Sequence, residues 1–185
     1  MTDEALMDAV QDGDLPRLGE LFERYHRQVF QFLSRTTGDP TVAEDLVQEV
    51  FVRILKYRNT YKRHSRFDTW LFRIARSARA DHFRSRPPVA EPVEQAFDVA
   101  TPEPGPAQVL SQGLDARQLQ RALLLLNDES RDLLILARYH DTPYSHIADL
   151  LEIDVGAVKV RVHRAMKLLR ARYFGLEDLS CAVRK

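Results

Sequence analysis

The chain has 185 residues, 44% of them apolar and 29% charged, enough for one ordinary helical domain or two small ones. Seven glycines and few β-branched runs argue against a sheet-rich fold, and no apolar run approaches the roughly 20 residues that span a bilayer. The net charge is zero, with 27 bases and 27 acids, yet it is strongly segregated: net −7 over residues 1–50, +9 over 51–86, −8 over 87–154 and +6 over 155–172. Two basic blocks between acidic ones imply two nucleic-acid contacts, with other surfaces left for a different partner.

The N-terminus, MTDEALMDAVQDGD, is acidic and lacks a signal peptide's basic and apolar parts, so a cytosolic location is expected. Cys181 is the single cysteine, which excludes an intrachain disulfide. A short amphipathic helix is expected through Leu6, Met7 and Val10. Leu18, Leu21, Phe22, Tyr25, Val29, Phe32 and Leu33 then predict a longer helix over 15–35, ended by Thr37-Gly38-Asp39-Pro40. Thr41 and Glu44 fit a capping box for the next helix, which runs to about Tyr57. Its apolar face is Val42, Leu46, Val47, Val50, Phe51, Ile54 and Leu55; its polar face carries Glu44, Asp45, Gln48 and Glu49. That face is either a solvated surface or a partner surface.

Arg58 to Arg66, RNTYKRHSR, lacks helical periodicity and embeds Asn59 and Tyr61 among cations that include Lys62 and Arg63. Such a loop can stack an unpaired base while holding the backbone, or it is a plain solvated loop. Asp68 is placed to cap a helix from Thr69 to about Arg84. In it Trp70, Leu71, Ile74, Ala75 and Ala78 face inward, and Arg73, Arg76, Arg79 and Arg84 face out. Phe67 and Trp70 stand at its entrance, where a core role is also sufficient.

Six prolines between Pro87 and Pro106, with acids among them, cannot sustain a helix and predict an extended acidic linker. A helix resumes from Ala107 through Leu110, Leu114, Leu119, Ala122, Leu123 and Leu126. Asn127-Asp128 breaks it, and another helix spans 130–140. Thr142 and Pro143 then open a short helix with Ile147, Ala148, Leu150 and Leu151 on its apolar side. Asp154 caps a second helix whose stripe is Val158, Val162, Ala165 and Leu169. The rest of it carries Lys159, Arg161, Arg164, Lys167, Arg170 and Arg172 with no acid between Val155 and Arg172. A short helix, a tight turn and a basic second helix describe a helix-turn-helix DNA reader; the blander alternative is a helical hairpin with a solvated basic face.

No phosphate-cradling glycine loop, close histidine pair with metal-ligand spacing or Ser/His/Asp set is present, so no cofactor and no metal are expected. The expected architecture is all-α. It has two small helical domains, 1–86 and 114–174, joined by a flexible Pro-rich acidic linker at 87–113 and followed by a tail at 175–185.

Three stretches carry a resemblance to the extracytoplasmic-function (ECF) group of bacterial sigma-70 factors. Ala43 to Phe51 (AEDLVQEVF) resembles the family's core-polymerase-binding helix. Phe67 to Arg76 (FDTWLFRIAR) resembles its promoter −10 segment. Ile147-Ala148, through Val158 to Ala165 (VKVRVHRA), resembles its −35 reader. Departures are Val160, where a small hydroxyl residue is usual, Glu152, where glycine is common, His146 for a usual acid and Ala157 for a usual threonine.

The resemblance implies a factor that catalyses nothing itself and works with core RNA polymerase. Glu44, Asp45, Gln48 and Glu49 would dock on the clamp helices of the largest subunit, and the flap would be a further contact. Asn59, Tyr61, Lys62, Arg63, Phe67, Trp70, Arg73 and Arg76 would take the −10 element. Lys159, Val160, Arg161, His163, Arg164 and Lys167 would take the −35 element. Promoter DNA and an anti-sigma factor are the other implied partners, with no membrane insertion. A stand-alone helix-turn-helix regulator is the alternative; it leaves the first basic block and the acidic helix unexplained.

Overall fold

A computed structural model describes residues 1–85 and 116–183, with side chains to 175. Every regular element among the described residues is helical: α1 (Asp3–Gln11), α2 (Arg17–Thr37), α3 (Pro40–Tyr57), a single 3-10 turn (Arg58–Thr60), α4 (Phe67–Ser85), α5 (116–124), α6 (Asp128–Arg138), α7 (Tyr144–Leu151) and α8 (Val155–Val183). The linker expected at 87–113, the helical start expected at 107–115 and the side chain of Cys181 lie outside the described residues. None of the described helices is long and apolar enough to cross a membrane.

Helices α1 to α4 form the N-terminal unit. Leu21, Val29, Phe32 and Leu33 of α2 bury the stripe that their spacing predicts, against Leu46, Val50 and Ile54 of α3 and Leu71, Ala75 and Ala78 of α4. Each large side chain so buried contributes roughly 1.5–3 kcal/mol. α2 ends at Gly38, left-handed at φ 77°, where a Cβ would also stand 2.6 Å from Leu124 of α5.

Three expected boundaries move. α3 is capped by Asp39, whose Oδ1 accepts from the Thr41 and Val42 amides at 2.9 and 3.2 Å, and Pro40 takes the first helical position. The Thr41–Glu44 capping box is therefore not the cap. α7 begins at Tyr144 with Pro143 before it and no side-chain cap, so Thr142 does not cap it. α4 begins at Phe67, one residue ahead of the expected cap Asp68.

In the C-terminal unit, Arg131 of α6 stitches the end of α5. Its guanidinium donates to the carbonyls of Leu123, Leu124 and Leu126 at 3.1, 2.9 and 2.7 Å, and to Thr36 of α2 at 2.9 Å. A cation on exposed helix-end carbonyls also meets the negative end of the helix dipole. Burial holds the Arg131 pKa below its ordinary value.

Residues 132–137 of α6 are all buried, so this helix is covered on more than one side. One side meets α7 and α8; the other meets α2 and α4 of the N-terminal unit. Phe32, Phe72 and His140 pack at that junction, with centroid separations of 5.3 Å (Phe32–Phe72), 6.4 Å (Phe32–His140) and 5.6 Å (Phe72–His140). Gln120 adds a hydrogen bond of 2.9 Å to the Arg35 carbonyl.

Candidate nucleic-acid interface

The helix-turn-helix is built as its sequence requires. α7 stops at Glu152, left-handed at φ 56°, whose N–H returns to the Ala148 carbonyl. Non-glycine residues pay for this conformation, which explains why glycine is common at this position in the resembled family. Asp154 caps α8 through its Oδ1, 2.9 Å from the Ala157 amide. Gly156 fits beneath that cap, where a Cβ would lie 2.9 Å from the same oxygen. Val158, Val162 and Ala165 are 0–3% exposed and hold α8 against the unit's core.

That leaves Lys159, Val160, Arg161, His163, Arg164 and Lys167 exposed, as the spacing predicts. At 3.6 residues per turn Lys159, Val160, His163, Arg164 and Lys167 share one side of α8, with Arg161 at the flank nearer α6. Five of the six can donate to phosphates or base edges, and Val160 offers only apolar contact. Arg161 is engaged by Glu129 of α6. α8 also continues well past Arg172, to Val183.

The second basic surface is arranged differently from the sequence reading. Asn59, Lys62 and Arg63 are exposed, with Arg63 paired to Asp12. Tyr61 is 3% exposed and Phe67 is fully buried. Tyr61 packs edge-on against Trp70 at 5.3 Å and donates its hydroxyl to the Ser65 carbonyl. Burial first of all pushes its pKa up to about 12. The expectation that Tyr61 offers a free ring to a base is corrected: the ring is the floor of the loop. Phe67 likewise stacks inward, edge-on to Tyr25 at 5.2 Å, and Trp70 is half-buried.

Gln11 of α1 fixes the loop from beneath, donating to the carbonyls of Arg58 and Tyr61 at 2.7 and 2.8 Å. Sequence reasoning missed it, because a glutamine at the end of an amphipathic helix carries no signal of a partner some fifty residues on. Asp68, at the head of α4, is held below the usual carboxylate range. Burial opposes this, but Arg66, the Thr69 amide and His146 of α7 outweigh it.

On α4 Arg73 is exposed as expected, but the expectation that Arg76 and Arg79 face solvent is corrected. Arg79 is 3% exposed and Arg76 half-buried; both reach Asp132 of α6, and Arg73 reaches Glu152. The stripe rule describes packing within one unit, and a second unit covers this face. Asp132 was missed as well. Its signal was available: an acid followed by five apolar residues, LLILA, marks a helix buried on two sides, where a carboxylate must find a cation.

The acidic face of α3 is as expected. Glu44, Asp45, Gln48 and Glu49 are all exposed. Glu49 pairs with Arg53 at 2.6 Å, and Arg53 with Asp81 of α4 at 2.7 Å. Among the described residues no cluster of potential metal ligands forms.

Comparison with known proteins matches residues 21–87 to sigma-70 region 2 and residues 116–169 to sigma-70 region 4. The chain is 30% identical over 155 residues to the ECF RNA polymerase sigma factor SigX of Bacillus subtilis, covering 81% of this chain and 80% of that one. It is 30% identical over 164 residues to the RNA polymerase sigma factor CarQ of Myxococcus xanthus, covering 89% and 93%. Two solved structures share the fold. CnrH, in complex with the cytosolic domain of CnrY, has a TM-score of 0.67 at 24% identity over 96% of this chain and 97% of that one. RpoE of Bartonella quintana, in complex with the anti-sigma factor NepR, has a TM-score of 0.65 at 20% identity over 83% and 94%.

Proposed function

The chain belongs to the extracytoplasmic-function sigma factors of the sigma-70 family, and on that premise we propose how its surfaces divide the work of directing core RNA polymerase to promoters. Its role is one of binding and positioning, with the chemistry left to the polymerase. The exposed acidic face of α3, Glu44, Asp45, Gln48 and Glu49, meets the clamp helices of the largest subunit. The exposed face of α8, Lys159, Val160, Arg161, His163, Arg164 and Lys167, enters the major groove at the −35 element.

The 58–66 loop and α4 take the −10 element. Asn59, Lys62 and Arg63 reach the strand directly, while Tyr61, Phe67 and Trp70 form the aromatic base that holds the loop in shape. Arg73 and Arg76 supply backbone contacts from α4. The working units are 1–86 and 114–174, with 87–113 passing between them. A cytoplasmic site of action and regulation by an anti-sigma factor follow from the same reading; the RpoE structure was solved with the anti-sigma factor NepR, and the CnrH structure with the cytosolic domain of CnrY.

The observation that carries this reading is the exposed, acid-free basic side of α8, presented by a capped turn within the matched region 4. Run-off transcription with core polymerase over a promoter library tests it. Promoter-selective transcripts that require the chain are expected; selective duplex binding with no co-elution with core polymerase would instead favour the stand-alone regulator.

A further inference from the structure

Helix α1 precedes the stretch 21–87 matched to region 2, yet it is built firmly into the N-terminal unit. Thr2 caps it, accepting from the Ala5 amide at 3.2 Å, and Asp3 ties its start to α2 by accepting from Arg24 and from the Tyr25 hydroxyl, each at 2.6 Å. Leu6, Met7 and Val10 are fully buried along its length. Its last residue, Gln11, reaches the 58–66 loop. The carboxamide Nε2 donates to the Arg58 carbonyl at 2.7 Å and to the Tyr61 carbonyl at 2.8 Å. Both N–H groups of that nitrogen are thus used. They bracket Asn59 and Thr60, which are exposed.

The two carbonyl acceptors also decide which end of the carboxamide is nitrogen. Its oxygen, Oε1, is buried and has no hydrogen-bond partner among the described residues. An unpaired buried acceptor is costly, and a methionine would fill similar space without it. What glutamine supplies here is a double donor aimed at the loop. The loop has little order of its own: one 3-10 turn, Arg58–Thr60, and a left-handed residue, His64, at φ 61°. The Tyr61 amide donates to the Arg58 carbonyl at 3.1 Å and the Ser65 amide to the Lys62 carbonyl at 3.0 Å. Both bonds stay within the loop, whereas Gln11 ties its backbone to a helix anchored on α2.

We propose that Gln11 is a positioning residue for promoter opening: by bracketing the Arg58 and Tyr61 carbonyls it holds the 58–61 turn in the shape that receives the unpaired −10 strand. The proposal rests on the assignment of the 58–66 loop to the −10 element. A loop that must be ordered as the strand arrives loses that ordering free energy from binding. With the bracket removed, the competent shape is only a fraction of the loop population, and apparent affinity falls by that fraction. The loss is confined to strand capture, because the acidic face of α3 and the basic side of α8 stand on other elements.

The test uses holoenzyme assembled from the full chain and core polymerase, with a promoter taken from the run-off library and one readout per surface. Co-elution reports the polymerase contact, a fluorescein-labelled duplex carrying only the −35 element reports α8, and a fork with an unpaired −10 strand reports the loop. Gln11→Met, close in shape but without a donor, should weaken fork binding about fivefold or more and leave the other two readouts where they were. Gln11→Glu, which turns acceptors toward two carbonyls, should weaken it further. Gln11→Lys, a donor without an acceptor, should stay within about twofold of the parent.

A role in folding alone does not follow this order of donors. Fork binding by Gln11→Met equal to the parent's overturns the proposal. Should Gln11→Met fail to fold, equal fork binding by Gln11→Lys and Gln11→Glu overturns it instead. Asn59→Ala/Lys62→Ala separates the two readings. If that variant binds the fork as the parent does, the −10 assignment fails and the bracket's role falls with it. If it weakens fork binding while the Gln11 variants do not, the −10 assignment stands and the role of Gln11 is refuted.

Discussion

His140 makes the junction between the units sensitive to acid. Its ring lies against Phe32 of α2 and Phe72 of α4, which also touch each other, and its Nε2 is buried without a hydrogen-bond partner. Burial, with Arg35 of α2 nearby, lowers its pKa from 6.5 to about 4; Asp141 opposes the shift weakly. Arg35 itself is turned over the Tyr139 ring at 4.1 Å. The folded chain therefore holds His140 neutral where the unfolded chain would protonate it. That stability is complete above pH 6.5 and is lost as pH falls from 6.5 toward 4. A shift of this size corresponds to about 2 kcal/mol near pH 5 and about 3 kcal/mol at the acid limit. The assay is urea denaturation of the parent and of His140→Gln between roughly pH 7.5 and 5. The informative quantity is the difference between the two proteins, which cancels the pH dependence they share. The parent should lose about 2 kcal/mol more than the variant over that range. A difference that stays flat would show that the His140 ring is hydrated and that its packing against the two phenylalanines is not what the structure describes.

Other expected outcomes follow from the same geometry. Asp45→Lys should weaken the complex with core polymerase while leaving helicity unchanged; Asp45 is the cleaner position, because Glu49 also holds Arg53. Unchanged affinity in a co-elution or anisotropy assay would remove the α3 face from the interface. Arg164→Ala should cost about 1–3 kcal/mol at a single −35 base position, whereas Lys167→Ala should weaken all sequences alike and lower the salt slope by about one. Promoter-library transcription separates these two outcomes. Tyr61→Phe removes only the hydrogen bond to Ser65 and should cost about 1 kcal/mol, while Tyr61→Ala empties a packed site and should cost about 3–5 kcal/mol. Equal costs by urea denaturation would mean that the ring is not packed.

Much of this architecture was legible because each helix is amphipathic over several turns. The α2 and α8 stripes, Leu21 to Leu33 and Val158 to Ala165, are buried where a period of 3.6 places them. The basic side of α8 was legible for the complementary reason: its cations are the residues that the buried stripe leaves exposed. Caps were read less well. Asp39-Pro40 competes with Thr41 for the start of α3, and proline at the first helical position settles it through its fixed φ. The basic loop at 58–66 was least legible. Tyr61 looks like a stacking ring in a basic loop, yet its hydroxyl satisfies the Ser65 carbonyl and its ring packs edge-on against Trp70. Those are tertiary facts without a local pattern.

The charge segregation carried more than it first gave up. The block at 51–86 was read as positive because something outside the chain is negative. In the structure the block at 87–154 supplies Asp128, Asp132 and Glu152 to arginines of that same block. A chain with net charge zero can satisfy its own basic face. The acids that do so lie on α6 and at the end of α7, with Asp132 more than fifty residues beyond Arg76 and Arg79 in sequence, so the basic block at 51–86 looks unpaired when its own stretch is taken alone.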